Sequence, residues 1–310
     1  MLGEGDVNGS GPRAAHGAGV LPEQVLGPGV QICFAGLGLS LEGDSELCSR
    51  WQRAAGGSHA PGTRAGPGAP LRCHLRPLTA GVLPQPRSLG WEWNEPCGRV
   101  HAPHGEACVR REGGVFTADV RVAREPRAAR LLLVGLTSLL LHLRGGLLLH
   151  AASVSLDGGA IAFIGPSGAG KSTASRHVSA GKHFSVDRLA LLPGARGGSA
   201  PWLAHPLPGG SARDDAQGVA PGWLPLRALL RVHPSPLGSR IEACPPALAV
   251  LLARESAFQL GRGAGAESAL LGTLEQLARD VGVDRLHVRL GTDLTSLLRA
   301  RGSRAEEELT

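Results

Sequence analysis

The sequence contains no tyrosine and a single methionine, and aromatic residues make up only 3% of it. Alanine, glycine, arginine and leucine are abundant instead, which is typical of a GC-rich genome and makes composition a weak guide to function. The sequence also lacks a dense run of lysine and arginine, or a basic stripe interleaved with aromatic residues, although its formal net charge is +6. This absence argues against nucleic acid as a partner.

Long apolar segments are absent as well. The first ten residues contain Glu4 and Asp6 and no apolar core, so we expect no secretory signal. The most apolar stretch, Leu131 to Leu141, lies between Arg130 and His142 and is too short to cross a bilayer, so it predicts a buried helix. We therefore expect a cytoplasmic protein without a membrane partner.

Composition changes along the chain and predicts three regions. Residues 1–90 are rich in glycine and proline, and we expect them to be poorly ordered or irregular apart from a short strand at 31–35 and a helix at 45–54. Residues 91–300 carry the hydrophobic periodicity of an ordered α/β domain. Residues 301–310 form a charged tail that we expect to be frayed.

Six cysteines occur at irregular spacing, and one group of them stands beside histidines. Cys97, His101, His104 and Cys108 bring two thiols and two imidazoles close together in sequence. Zinc sites usually pair their ligands as C-x₂₋₄-C and H-x₃₋₅-H, and the order found here departs from that rule. We therefore expect free thiols rather than a metal site, and the role of this group stays open.

Hydrophobic patterns predict the elements of the ordered domain. Val115 to Val122 alternates like a half-buried strand, and a helix is expected from Pro126 to Leu143. Strands at 147–155 and 160–164 should form a hairpin around Asp157-Gly158-Gly159. Further predictions are strands at 184–192, 201–208, 226–233 and 286–290, a mobile loop at 209–222, and helices at 173–180, 246–260 and 264–281. A last helix should begin at a cap of Thr292 or Asp293 and end near Arg299.

Residues 165–173 match the phosphate-loop (P-loop, Walker A) pattern G-x-x-x-x-G-K-[ST]. The match stands where such a loop must stand, between an apolar strand and a helix. Backbone N–H groups of the loop would bind phosphates, Lys171 would reach the outer phosphates of ATP, and Ser172 would hold Mg²⁺. The nucleotide-binding residues predicted in this way are Gly165, Ser167, Gly168, Ala169, Gly170, Lys171, Ser172 and Thr173.

Two further residues are candidates for catalysis. Asp187 follows Lys171 by one helix and a turn, so we expect its strand to lie beside the loop strand, where its carboxylate would bind Mg²⁺ together with Ser172. His150 stands one hairpin away from the loop and is either a catalytic residue or a packed histidine. Arg188 is either a bidentate donor that holds a phosphate or an exposed strand residue, and we expect the latter.

The segments at 147–159, 165–173 and 185–191 together resemble the HPr kinase/phosphorylase family, and in particular its short bacterial members. The resemblance implies a P-loop-containing mixed sheet flanked by helices, of the HPr kinase/phosphoenolpyruvate carboxykinase type. It also implies ATP and Mg²⁺ as cofactors and phosphoryl transfer to a protein serine. His150 and Asp187 match family positions, whereas Val186 replaces the acid that acts as the family's base.

Several functions remain open at this point. The leading hypothesis is an ATP-dependent kinase that acts on a protein serine or another acceptor, including a small molecule. The alternative is a nucleotide-binding sensor or assembly module that lacks transferase activity because of Val186. An ABC-type ATPase is excluded, because the chain has neither an L-S-G-G-Q signature nor an apolar strand that ends in Asp-Glu. The partners considered are a nucleotide, a protein acceptor and a second copy of the chain.

Overall fold

This computed structural model describes residues 30–55, 71–78, 88–195, 198, 200–207 and 222–307. Within these parts of the chain, six helices flank two mixed sheets, one of seven strands and one of eight. This arrangement confirms the mixed α/β class. The loop predicted at 209–222 lies almost entirely outside the described residues.

The first sheet has the strand order β1-β2-β3-β7-β6-β5-β4. β3 is parallel to both of its neighbours, and the remaining pairs are antiparallel. The predicted alternation of β7 is confirmed, since its even-numbered side chains are buried in the core below the sheet. The strands are β1 (Val30–Phe34), β2 (Leu37–Gly43), β3 (Leu71–Pro77), β4 (Gly90–Asn94), β5 (Cys97–Ala102), β6 (Gly105–Glu112) and β7 (Val115–Val122).

The boundary expected near residue 90 does not separate this fold from an irregular segment. β3 pairs with β7 along its whole length, from Leu71 opposite Phe116 to Pro77 opposite Val122. The alternating side chains Leu71, Cys73 and Leu75 are almost fully buried. Three strands from the first ninety residues therefore belong to the main core. β1 is the strand expected at 31–35, whereas the surrounding glycine and proline obscured β2 and β3 in the sequence.

Two helices cover one face of the first sheet. α1 (Ser45–Ala54) begins after Asp44, whose side chain accepts a hydrogen bond from the backbone N–H of Leu47 at 2.9 Å. α2 (Pro126–His142) is buried along most of its length and packs on both sheets, as its apolar sequence predicts. Among the described residues, no helix combines the length and the apolar character needed to span a membrane.

The second sheet contains a closed circuit of paired strands. β9 lies between β8, which is antiparallel to it, and β13, which is parallel, and the pairs β13–β12, β12–β11 and β11–β8 complete the circuit. The strands are β8 (Leu147–Leu156), β9 (Gly159–Ile164), β10 (Lys182–Ser185), β11 (Arg188–Pro193), β12 (Trp202–Pro206), β13 (Leu224–Pro234), β14 (Arg240–Ala243) and β15 (Asp284–Val288).

Helices cover both faces of this sheet around β9. Ile161 and Phe163 pack with α3 (Lys171–Arg176) and α6 (Thr295–Glu307), whereas Ala162 and Ile164 pack towards α4 (Pro246–Ser256) and α5 (Ala264–Asp280). Every residue of β9 is buried, which explains why its sequence is apolar without alternation.

Several boundaries differ from the sequence prediction. The strand expected at 184–192 is two strands, β10 and β11, and the helix expected at 173–180 is the shorter α3. The helix expected at 246–260 ends at Ser256. α6 continues to Glu307, so most of the segment predicted as a frayed tail is helical in the structure.

Candidate functional site

Residues 165–170, which we call the glycine loop, connect the buried end of β9 to the start of α3. Gly165, Gly168 and Gly170 have φ angles of 146°, 80° and 89°. These values lie in the region that favours glycine, because a side chain would meet its own backbone there. Three of the six positions therefore depend on glycine for their conformation, and the predicted strand–loop–helix order is confirmed.

Lys171 folds back into the glycine loop. Its side-chain Nζ donates hydrogen bonds to the backbone oxygens of Gly165 at 2.8 Å and Pro166 at 3.1 Å, and the residue is only 7% exposed. Burial lowers the pKa of Lys171, the carboxylate of Asp187 opposes this change, and the guanidinium of Arg231 adds to it. An ammonium group has three N–H donors, so one remains for a ligand after the two loop carbonyls are satisfied.

Asp187 stands in the two-residue break between β10 and β11, next to His150 of β8. Its Oδ1 lies 3.3 Å from His150 Nε2, and its Oδ2 lies 3.4 Å from Arg188 Nε. The hydroxyl of Ser185 donates to the carbonyl oxygen of Arg188 at 2.5 Å and so bridges the break. The expectation that the Asp187 strand lies beside β9 is wrong, since β10 and β11 both pair with β8, which separates them from the loop strand.

His150 is held between an aromatic ring and charged neighbours. Its ring stacks on Phe258 with centroids 6.1 Å apart. Burial lowers the pKa of His150, Lys171 lowers it further, Asp187 raises it, and Arg188 lowers it. The imidazole is therefore neutral at neutral pH and can accept a proton.

Arg188 is not the exposed strand residue that the sequence predicts. Its side chain is 23% exposed, and its guanidinium lies over the ring of Phe258, with Cζ 5.7 Å from the ring centroid. Its Nε is buried and has no hydrogen-bond partner among the described residues. The contact with Asp187 is thus a charge attraction without a formed hydrogen bond, which leaves a donor available.

Arg231 is a member of the site that sequence reasoning missed. It lies on β13 opposite Ile164, the last residue of β9, and its Nη1 forms an ion pair with Glu255 Oε2 at 2.6 Å. Its side chain is only 12% exposed, and its Nε is buried without a hydrogen-bond partner in the described part of the chain. The available signal was that Arg231 stands in the predicted strand at 226–233, four residues after Arg227.

The remaining predicted residues lie in the glycine loop or in the first turn of α3. The carbonyl oxygen of Ser172 accepts hydrogen bonds from Ser175 Oγ and Arg176 Nε, whereas its hydroxyl makes none within the described residues. Thr173 lies in the first turn of α3, and Ser167 and Ala169 lie in the glycine loop. The structure does not show a contact between Ser172 and Asp187.

The group of Cys97, His101, His104 and Cys108 is spread over the β5–β6 hairpin. Cys97 lies opposite Arg110 and Cys108 lies opposite Arg99, so the two thiols are not direct neighbours across the strands. All six cysteines are free. Within the ranges that the structure covers, no three His, Cys, Asp or Glu side chains form a group that could hold a metal ion.

The comparison with protein families gives one finding for this chain. Residues 131–216 match the family described as "ScmC: SynChlorMet cassette protein ScmC". The matched segment extends from within α2 through the glycine loop and Asp187 to beyond β12. No curated protein matches the sequence.

The resemblance to HPr kinase/phosphorylase is wrong, because no match to that family is found and the segments that suggested it fall inside the ScmC-like region. A strand–turn–strand unit followed by a glycine loop is fixed by local backbone geometry. Such a unit can therefore occur in chains that share no family, and it does not by itself identify one.

Proposed function

We propose that this chain binds a nucleoside triphosphate, represented by ATP, at the glycine loop and transfers its terminal phosphoryl group to an acceptor hydroxyl. The observation that carries the proposal is the position of Lys171. Two loop carbonyls hold its ammonium group inside the glycine loop, and one N–H donor remains for a phosphate oxygen. In a P-loop the lysine reaches the outer phosphates, and this position of Lys171 supports such a role.

The charges around the glycine loop support a polyanionic ligand. Lys171, Arg188 and Arg231 supply three cations, and both arginines have a buried Nε without a hydrogen bond in the described residues. Asp187 and Glu255 balance only part of this charge. Phosphate oxygens would accept from such donors, and arginine is well suited to phosphate binding.

Magnesium would complete the site. The free hydroxyl of Ser172 and the carboxylate of Asp187 are oxygen ligands of the kind that Mg²⁺ takes, together with phosphate oxygens and water. When bound, the ion would neutralise part of the negative charge on the phosphates. This role for Ser172 and Asp187 is part of the proposal.

His150 and Asp187 are suited to accept the hydroxyl proton of the acceptor. The carboxylate of Asp187 only accepts hydrogen bonds, so the proton of the neutral imidazole belongs on Nε2, which faces it, and Nδ1 carries the free lone pair. In the proposed reaction the acceptor oxygen bonds to the γ-phosphorus and the bond to the β,γ-bridging oxygen breaks. ADP leaves, and Nδ1 of His150 takes the hydroxyl proton while Asp187 stabilises the resulting imidazolium.

The test is a titration of the purified chain with a fluorescent ATP analogue in the presence of Mg²⁺, followed by an assay for ADP. Lys171→Ala should weaken binding by about 10- to 100-fold, as expected for the loss of a charge-assisted hydrogen bond. Lys182→Ala is the matched control, because it removes the same charge from an exposed strand position. If Lys171→Ala bound the ATP analogue with unchanged affinity, the glycine loop would not be the nucleotide site. Tight ATP binding by the wild type without ADP formation would support a nucleotide-binding module without transferase activity.

A further inference from the structure

A cavity of about 420 Å³ lies where the two sheets meet. Its floor comes from α2 and the start of β8, and its opposite wall comes from residues 257–263, which connect α4 to α5. Main-chain hydrogen bonds to neighbouring strands hold this connector in place. Phe258 donates its N–H to the oxygen of Leu148, and the N–H of Trp91 donates to the oxygen of Leu260. The volume is in the range that accommodates a small molecule.

Phe258 joins this cavity to the candidate site. Its ring lines the cavity and also stacks on His150 and lies under the guanidinium of Arg188. Leu147 and Leu148, which line the cavity as well, precede His150 on the same strand. Phe258 is therefore the residue that the cavity lining and the surroundings of His150 have in common.

The cavity walls favour an uncharged ligand that combines a flat ring with polar groups, because polar and apolar atoms contribute about equally to the exposed lining. Trp91, Leu147, Phe258 and Leu270 supply apolar surface, and no lysine or arginine is among the described residues that line the cavity. Phosphate groups would find no counter-charge there, so the triphosphate belongs at the glycine loop and not in this cavity. Aromatic walls favour a flat ring, which can stack on them or meet them edge to face.

Two polar side chains of the cavity already have partners. Ser138 accepts from the indole N–H of Trp91 at 3.1 Å, and Glu267 pairs with Arg254 at 2.8 Å. The ring of His142 contacts that of Trp91 with centroids 4.6 Å apart and planes tilted by 46°, and its ring nitrogens make no hydrogen bond within the described residues. Burial lowers the pKa of His142, so its imidazole is neutral and can exchange a hydrogen bond with an uncharged polar group.

We propose that this cavity binds the phosphoryl acceptor, an uncharged aromatic compound that carries a hydroxyl group and directs it past Phe258 towards His150. The inference rests on the proposed function and names the substrate class of the same site. The acceptor oxygen would form its bond to the γ-phosphorus of the nucleoside triphosphate, the diphosphate would leave, and the hydroxyl proton would pass to His150.

The probe for the experiment is p-cresol, which has a flat ring, one hydroxyl and no charge. Saturation-transfer NMR should detect p-cresol bound to the wild-type chain. Ala266→Phe fills the cavity and should abolish the signal, whereas Ala269→Phe places the same ring on an exposed face of α5 and should leave it unchanged. Ala264→Phe, at an exposed position of the cavity rim, gives a second filled variant, and circular dichroism checks that each variant folds.

A second measurement separates this inference from the proposed function. Ala266→Phe should retain wild-type affinity for the fluorescent ATP analogue, and p-cresol should increase ADP release by the wild type but not by Ala266→Phe. ³¹P NMR should then show p-cresyl phosphate. A wild type that binds p-cresol but not ATP would overturn the proposed function, and the acceptor role with it.

Three outcomes would overturn the acceptor role while leaving ATP binding intact. The first is p-cresol binding that is equal in the filled and control variants. The second is ADP release that p-cresol does not change. The third is a loss of nucleotide affinity in both filled variants, which would assign the cavity to the base of the nucleotide instead.

Discussion

Arg231 lies directly against Gly165, the first residue of the glycine loop. A Cβ atom placed on Gly165 would lie 3.6 Å from Cδ of Arg231 and 3.7 Å from its Nε. The same guanidinium lowers the pKa of Lys171. Arg231 and Lys171 therefore place two positive charges at one loop, where a bound anion would add to the partial compensation from Glu255 and Asp187.

Arg231→Gln should weaken ATP binding or slow phosphoryl transfer by about 10- to 100-fold, because it removes one charge-assisted contact to phosphate. It should also raise the pKa of Lys171, since a neighbouring cation is lost. Titration with the fluorescent ATP analogue measures the loss of binding, and an ADP assay measures the loss of phosphoryl transfer. Arg285→Gln is the matched control, because Arg285 lies opposite Arg231 on β15, one strand further from the loop. Equal losses in both variants would mean that only overall charge matters.

The pH dependence of turnover should report the protonation of His150. Burial and the charge of Lys171 disfavour the imidazolium, so turnover should fall with decreasing pH at a midpoint below the ordinary histidine value of 6.5. Asp187→Asn removes the carboxylate that raises this pKa. The pH midpoint of any residual activity should therefore shift to a still lower value.

His150→Gln should abolish this acid limb, whereas His183→Gln, on the neighbouring strand β10, should leave it unchanged. The profile is measured at saturating ATP and constant ionic strength. An acid limb that survives in His150→Gln would assign the proton to another group.

The stability of the fold should decrease in acid because of His205. This histidine is 6% exposed, burial lowers its pKa to about 4, and a hydrogen bond between its Nδ1 and the oxygen of Pro206 opposes the shift. In the unfolded chain the same histidine binds a proton near pH 6.5. The free energy of unfolding therefore has its full value above that pH and decreases as the pH falls towards 4. The loss over this interval is about 3 kcal/mol.

Urea unfolding at a series of pH values measures this loss. His205→Phe preserves a ring against Trp223, whose centroid lies 5.2 Å from that of His205, and should flatten the acid decrease. His74→Phe, on the outer face of the first sheet, is the control and should keep the wild-type slope. A slope in His205→Phe equal to that of the wild type would show that other groups cause the acid loss.

The parts of the fold that depend on local signals are predictable from the sequence. α1 has its bounds set by the cap of Asp44 and an apolar face, and β7 follows from strict alternation. The hairpin of β8 and β9 follows from its turn residues, because Asp157 and Gly158 adopt the positive φ angles that such a turn needs. In each case the deciding interactions lie within a few residues of one another.

The parts that depend on distant pairing were not predictable. The position of Asp187 results from a strand break that Ser185 bridges and from pairing with β8, neither of which hydrophobic periodicity encodes. Arg231 and Phe258 join the site because β13 pairs with β9 and because the α4–α5 connector pairs with β8. A loop motif specifies its own backbone, but it does not specify which strand will lie beside it.

The connector at residues 257–263 is held by main-chain bonds to one strand of each sheet. The spacing between the two walls of the cavity is consequently independent of most side chains that project from it. Substitutions of Gln259 or Leu270 could therefore change which ligand the cavity selects while the main-chain bonds keep its two walls in place.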